Sequence, residues 1–173
     1  KRDQPDSAVA YYQQAIGLFA PSSNRRNLAE TYDNLGVAYT RIDSLEPALA
    51  ATRQALSLYQ QAKDPGGEAL AHQHLGGLLY RLGQLPAAEP HFERALTLSQ
   101  DLELSITEAE TYRLMSEVKA ATGDHVKAYE LLRRYQRVED SLRGEKIQQQ
   151  VSELQTRYET EKKEQQIALQ ALE

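Results

Sequence analysis

Three observations predict an all-α superhelix, a solenoid of 40-residue helical hairpins that ends in a long helix. The sequence matches itself at a shift of 40 residues. Each unit carries two stretches with helical apolar spacing, parted by turn-forming residues. Residues 145–173 form a polar run of helix formers containing neither Gly nor Pro.

The repeat is visible as columns. Ala8, Ala48, Ala88 and Ala128 recur at 40, as do Tyr32, His72 and Tyr112. Leu35, Leu75 and Met115 recur likewise, each followed by a small residue, Gly36, Gly76 or Ser116. Ala15, Ala55 and Ala95 make a further column that Tyr135 ends. In "AETYDNLGVAYTR" the large residues Tyr32, Leu35 and Tyr39 share one helical face, with Gly36 where a neighbouring helix must come close. This is the first helix of a hairpin. Breaks follow it at "IDSLEP", "LGQLP" and "TGDH", where Ser44 and Asp124 suit helix N-caps and Pro47 and Pro86 suit a first turn.

The second helix reads "PALAATRQALSLYQQA", "AAEPHFERALTLSQ" and "KAYELLRRYQRVED". Between hairpins stand "APSSN", "KDPGG" and "SITE", the last with the form of a capping box from Ser105 to Glu108. Pro90 is a misfit, expected to remove one hydrogen bond and bend its helix. The predicted layout is an incomplete unit over 1–24, hairpins over 25–64, 65–104 and 105–142, then a capping helix over 143–173 that runs on as a stalk. Ala8 occupies a second-helix column, and residue 1 is Lys rather than Met. The chain is therefore expected to begin between two helices of a longer protein.

Composition bounds the function. There are 25 acidic and 20 basic residues among 173, a net charge of -5, which argues against a phosphate-binding surface rich in clustered cations. With two Phe, ten Tyr and no Trp, the core must be built mainly from Leu, Ala and Tyr. The absence of Cys removes disulfides and thiolate metal sites. No apolar run approaches a membrane span, and "KRDQPDSAVA" lacks the apolar core of a signal peptide. The four histidines, His72, His74, His91 and His125, form no metal-ligand motif, and there is no phosphate loop or nucleophile elbow. No catalytic residue, metal or cofactor is expected. His72 stands in a Tyr column and reads as a packing residue.

The Tyr/His-x-x-Leu/Met-Gly/Ser pattern of the first helix and the Ala-x-x-x-large-x-x-Ala pattern of the second resemble the tetratricopeptide repeat. The likeness covers roughly residues 3–142. The unit here is about six residues longer than the usual repeat of about 34, and Gln60 and Gln100 replace the closing Pro of the pattern. The resemblance implies a groove lined by the first helices that takes a protein or peptide. Carried over by position, its lining is Glu30, Asp33, Asn34, Val37, Thr40 and Arg41 in one hairpin. The next contributes Leu70, Gln73, His74, Gly77, Tyr80 and Arg81, and the third Glu110, Arg113, Leu114 and Glu117. Arg41 and Arg81 share a column; they can grip a carboxylate bidentately or pair along the surface with Asp33 and Glu117. The Lys and Asn set with which some members hold chaperone C-termini is missing, since its positions carry Asp33, Val37, Gln73 and Gly77.

After Gly144, the residues Ile147, Val151, Leu154 and Tyr158 make one apolar stripe, expected to pack on the last hairpin as a cap. The stripe lapses at Glu161, Lys162 and Gln165 and resumes at Leu169 and Leu172. The pairs Glu153–Arg157 and Glu159–Lys163 support an exposed helix by only about 0.2–0.5 kcal/mol each, so a partner is expected, most simply a second copy. "ELQTRYETEKKEQQIAL", residues 153–169, resembles the junction that follows extracytoplasmic tetratricopeptide arrays in bacterial membrane sensors, chiefly Bacteroidetes-type sensor histidine kinases. That likeness implies a periplasmic sensor domain of a two-component receptor, with a membrane span beyond residue 173. The competing reading is a cytoplasmic peptide-binding adaptor or regulator whose last helix is only a solvated cap.

Overall fold

The computed structural model of the chain describes residues 3–20 and 24–170, with side chains described at 7–20, 24–160 and 163–164. Among the described residues there are seven helices: α1 (Asp3–Phe19), α2 (Arg25–Arg41), α3 (Leu45–Ala62), α4 (Pro65–Arg81), α5 (Leu85–Asp101), α6 (Ser105–Ala121) and α7 (His125–Gln170). The starts of α2, α4 and α6 fall 40 residues apart, as do those of α3, α5 and α7. The sequence columns are therefore equivalent places in successive hairpins.

One turn geometry sets that spacing. Asp43, Lys63, Gly83, Glu103 and Gly123, each 20 residues from the next, adopt positive φ. After each, an amide returns to a carbonyl of the helix just ended: Ser44 to Tyr39 (2.9 Å), Asp64 to Tyr59 (3.0 Å), Gln84 to Leu79 (2.8 Å), Leu104 to Ser99 (2.7 Å) and Asp124 to Lys119 (2.9 Å). This left-handed stop satisfies carbonyls that the helix end leaves free and lets the chain reverse within three residues. Helix starts are less uniform. The side chains of Asn24, Asp64 and Asp124 accept the amides of Asn27, Gly67 and Lys127 at 3.0–3.1 Å. Ser44 holds the cap position of α3 without a side-chain cap bond. The expected capping box does not form, because the turn at Glu103 closes early. Leu104 becomes the cap residue, Ser105 is already helical, and the Glu108 carboxylate accepts from Gln100 Nε2 at 2.9 Å instead. Pro90 is exposed inside α5, which continues past it to Asp101.

The chain divides into two units, Lys1–Tyr135 and Gln136–Glu173. In the first, α2 packs on α3 and α4 on α5 as hairpins; α3 meets α4, α5 meets α6, and α4 lies against both α2 and α6. Its core joins Ala48, Leu49, Leu75, Leu78, Leu79, Ala88, Phe92 and Val118, and a second cluster gathers Ala29, Ala55, Leu58, Tyr59 and Ala71. The small-residue column does the work expected of it. A methyl group on Gly76 would lie 2.6 Å from the ring of Phe92, which is only 1% exposed, and one on Gly36 would collide with Thr52. Buried hydroxyls of Thr31, Thr52 and Thr111 return to carbonyls four residues back, and among the described residues no buried side-chain polar atom lacks a partner.

The second unit is the continuation of α7. Gly144 does not interrupt it, since one Gly costs about 1 kcal/mol in a helix and no Pro or left-handed stop follows. Ile147, Val151, Leu154 and Tyr158 are 55–64% exposed, so the expected burial of this stripe as a cap is not found. Of Leu169 only the helical backbone is described, and Leu172 lies outside the described residues. Among the described residues no helix is long and apolar enough to cross a membrane.

Candidate binding groove

The side-by-side packing of α2, α4 and α6 leaves one cavity of about 360 Å³ between them. Its apolar wall is Val37, Leu78 and Leu114, and at Gly77 the backbone itself is partly exposed, whereas Gly36 in the lining is buried against Thr52. Tyr80 and Thr40 stand at its rim of mixed chemistry, with Arg41, Arg81, Gln73, His74, Glu110 and Glu117 supplying polar groups. Gly77 differs from Gly36 in one useful way. A methyl group there would meet only Leu114 Cδ1, at 3.8 Å, so the missing side chain leaves open space in the cavity rather than a helix contact.

The carried-over candidates thus divide. Val37, Thr40, Arg41, Gln73, His74, Gly77, Tyr80, Arg81, Glu110, Leu114 and Glu117 come together around the cavity. Glu30 and Asn34 are exposed away from its lining, and Glu30 pairs with Arg26 at 3.3 Å. Asp33 is 4% exposed, and its carboxylate receives His74 Nδ1 at 2.8 Å. It fixes a groove residue without facing the groove. Leu70 is half-buried and is not part of the lining. Arg113 also stays outside the lining and clamps two acids that belong to it: Nε donates to Glu110 at 2.9 Å and Nη1 to Glu117. The hydrogen bond to Glu110, together with the neighbouring negative charges, pushes its proton affinity above the guanidinium norm, which holds it as a cation.

The surface pairings weighed for the Arg column are not those formed. Arg81 reaches back one hairpin, donating to Asp43 Oδ1 at 2.6 Å and to the carbonyl of Thr40 at 3.2 Å. Asp33 is taken by His74 and Glu117 by Arg113, because each lies closer to its own partner across or along the helix. Arg41 is exposed and makes no ion pair among the described residues. Of the cavity's charges, then, Arg41 is the one left for a ligand. Sequence reasoning missed Gly36, Thr52 and Leu78 as lining, and missed the cross-hairpin bonds. A signal existed for the bonds: Asp33–His74 and Thr40–Arg81 are both 41 residues apart, one repeat plus one position.

A second polar contact lies behind α4. His72 Nδ1 and His91 Nδ1 on α5 are 2.9 Å apart, with ring centroids at 5.1 Å. Burial lowers the proton affinity of both imidazoles; for His72 the neighbouring His91 adds to this, and for His91 Arg53 does. No group of three potential metal ligands occurs among the described residues.

Known proteins agree with this architecture. The sequence matches the family profile described as tetratricopeptide repeat over residues 1–61 and 68–138. No curated protein matches the chain. Among solved structures, BtubC (BKLC) from P. vanneervenii superposes with a TM-score of 0.72 at 23% identity, covering 82% of this chain and 59% of its own. The tetratricopeptide repeat domain of Arabidopsis FLU gives 0.61 at 23% identity, covering 68% of this chain and 98% of its own. The Rap conjugation gene regulator of plasmid pLS20, solved with the Phr* peptide, gives 0.65 at 22% identity, covering 73% and 36%. This chain thus spans less than two thirds of the BtubC chain and about a third of the Rap chain. With the hairpin register, the left-handed turns and the profile match over most of its length, the chain belongs to the tetratricopeptide repeat family.

Proposed function

We propose that this chain is a non-catalytic binding module that holds a peptide or protein segment in the α2–α4–α6 groove. One observation carries the reading: an open cavity with an apolar floor at Gly77 and, in its lining, a cation, Arg41, that has no ion pair among the described residues. An apolar side chain fits the floor, and a nearby carboxylate offsets the charge. The Rap regulator, of similar fold, was solved with a peptide bound, which supports this ligand class. The test is a labelled nonapeptide library in which Leu or Phe is followed by Asp one to three positions on, with Lys-for-Asp and Ser-for-Leu controls. Leu–Asp peptides should bind, and Gly77→Leu and Arg41→Glu should each weaken binding at least about tenfold, a loss of about 1.4 kcal/mol. Binding that ignores both substitutions contradicts the groove.

Within this reading, the module serves as the sensor part of a bacterial two-component membrane receptor, on the periplasmic side. The support is the sequence likeness of residues 153–169 to such junctions and the exposed stripe at Ile147, Val151, Leu154 and Tyr158. That stripe pairs with a second copy, and groove occupancy biases the pairing. Fractionating source cells with an antibody to this domain tests the location. Inner-membrane residence with protease access in spheroplasts is expected. Recovery in the soluble cytoplasmic fraction favours the adaptor reading instead.

A further inference from the structure

The repeat columns expose a paired departure in the central hairpin. The position held by Tyr32 and Tyr112 in the flanking hairpins is His72 there, and the position held by Ala51 and Leu131 is His91. Tyr112, Ala51 and Leu131 are buried, at 4%, 6% and 5% exposure. Two packing positions have therefore become titratable together, and the structure shows that they touch: Nδ1 to Nδ1 is 2.9 Å, a distance that needs a proton on one nitrogen and a lone pair on the other. With both rings protonated, two N–H groups and two positive charges would face each other there.

The surroundings do not rescue a doubly charged pair. On α4, Glu68 lies 3.9 Å from His72 Nε2, but Arg94 of α5 already holds the same Glu68 oxygen at 3.2 Å. Arg53, on α3, acts on His91 with positive charge. The environment thus sets one engaged carboxylate against two guanidiniums and the opposing imidazole. Half-burial of both rings adds a desolvation cost to the charged forms.

We propose that the His72–His91 contact is an acid-sensitive joint of the central hairpin: it holds α4 to α5 while the pair is neutral and yields when both imidazoles take up protons. The sign follows from linkage. The folded pair binds protons less readily than the unfolded chain, whose histidines titrate near about 6.5. Stability is therefore full above about 6.5 and is lost as pH falls toward the lower folded values. Because α4 also presents Gln73, His74 and Gly77 to the cavity, acidification weakens ligand capture as well. That consequence rests on the groove reading; the joint itself does not.

The experiment is chemical denaturation of the full chain from pH 8 to pH 5, beside the double variant His72→Tyr/His91→Leu, which restores the residues of the neighbouring columns. The folding constant of the native chain should fall at least about tenfold more than that of the variant over this range. His74 and His125 are unchanged in the variant. NMR titration of the four imidazoles in the native chain provides a readout that does not depend on the variant folding. Two coupled titrations below the ordinary histidine range are expected. Equal pH dependence in the two proteins, or His72 and His91 titrating independently at or above that range, overturns the proposal.

Discussion

At Gly76 a close contact between α4 and α5 depends on the absence of one carbon. The Phe92 ring occupies the space a Cβ needs, and Phe92 has no room to withdraw at 1% exposure. Gly76→Ala gains about 1 kcal/mol of helix propensity and meets an overpacking cost of about 1–3 kcal/mol. Urea denaturation should show a net loss of stability. Gly77→Ala, one residue on, should instead be stabilising, because its Cβ enters the open cavity. Lys63 presents the opposite situation. It holds φ 54° in the same turn geometry that Gly83 and Gly123 adopt without a side chain. Lys63→Gly should raise stability by about 0.5–1 kcal/mol, and a lower denaturation midpoint would contradict the strain argument.

Much of this scale was legible in the sequence. Gly36 and Gly76 stood in a column with Ser116, and a small residue recurring beside a large one at fixed period has few other meanings. The polar pairs were not legible. Asp33–His74 and His72–His91 join residues 41 and 19 apart, and periodicity says which face a side chain occupies, not which atom it meets there. The Arg column shows the limit well. Both arginines were placed at the groove, yet only the structure separates the anchored Arg81 from the uncommitted Arg41.

Among the elements, helix ends carry the registration. Five left-handed stops at 20-residue intervals fix where α2 to α6 finish, and side-chain caps at Asn24, Asp64 and Asp124 assist three starts. Asp64 serves twice, capping α4 through Gly67 and pairing with Arg26 at 3.0 Å. Asp64→Ala should cost about 1–2 kcal/mol, mostly from the cap, as thermal or urea unfolding will show. The capping box at "SITE" does not form because the motif ignores where the preceding turn ends; Glu103 closes that turn two residues before Ser105, which makes Leu104 the cap residue. The breakers announced that helices stop, whereas the left-handed residue determines at which position.

On the scale of the molecule, the first unit buries its apolar columns between hairpins and the second leaves its stripe uncovered. A helix that keeps Ile147, Val151, Leu154 and Tyr158 more than half exposed has a face suited to a partner. Val151→Glu/Leu154→Glu in the intact chain should turn a sedimenting dimer into a monomer while leaving groove binding of Leu–Asp peptides in place. A dimer that survives the substitutions, or a monomer before them, contradicts self-association through this stripe. The repeat architecture was readable because hairpin stacking is one-dimensional and writes its period into the chain. The fate of α7 was less so, since a polar helix with a partial stripe has the same pattern whether it folds back or runs on.

The central claim is that the first helices form the binding surface, and amide chemical-shift mapping tests it most directly. On titration with a bound Leu–Asp peptide, the largest shifts should fall at Val37, Arg41, His74, Gly77 and Leu114, on α2, α4 and α6. Shifts concentrated on the outer faces of α3 and α5, with those positions silent, would contradict it.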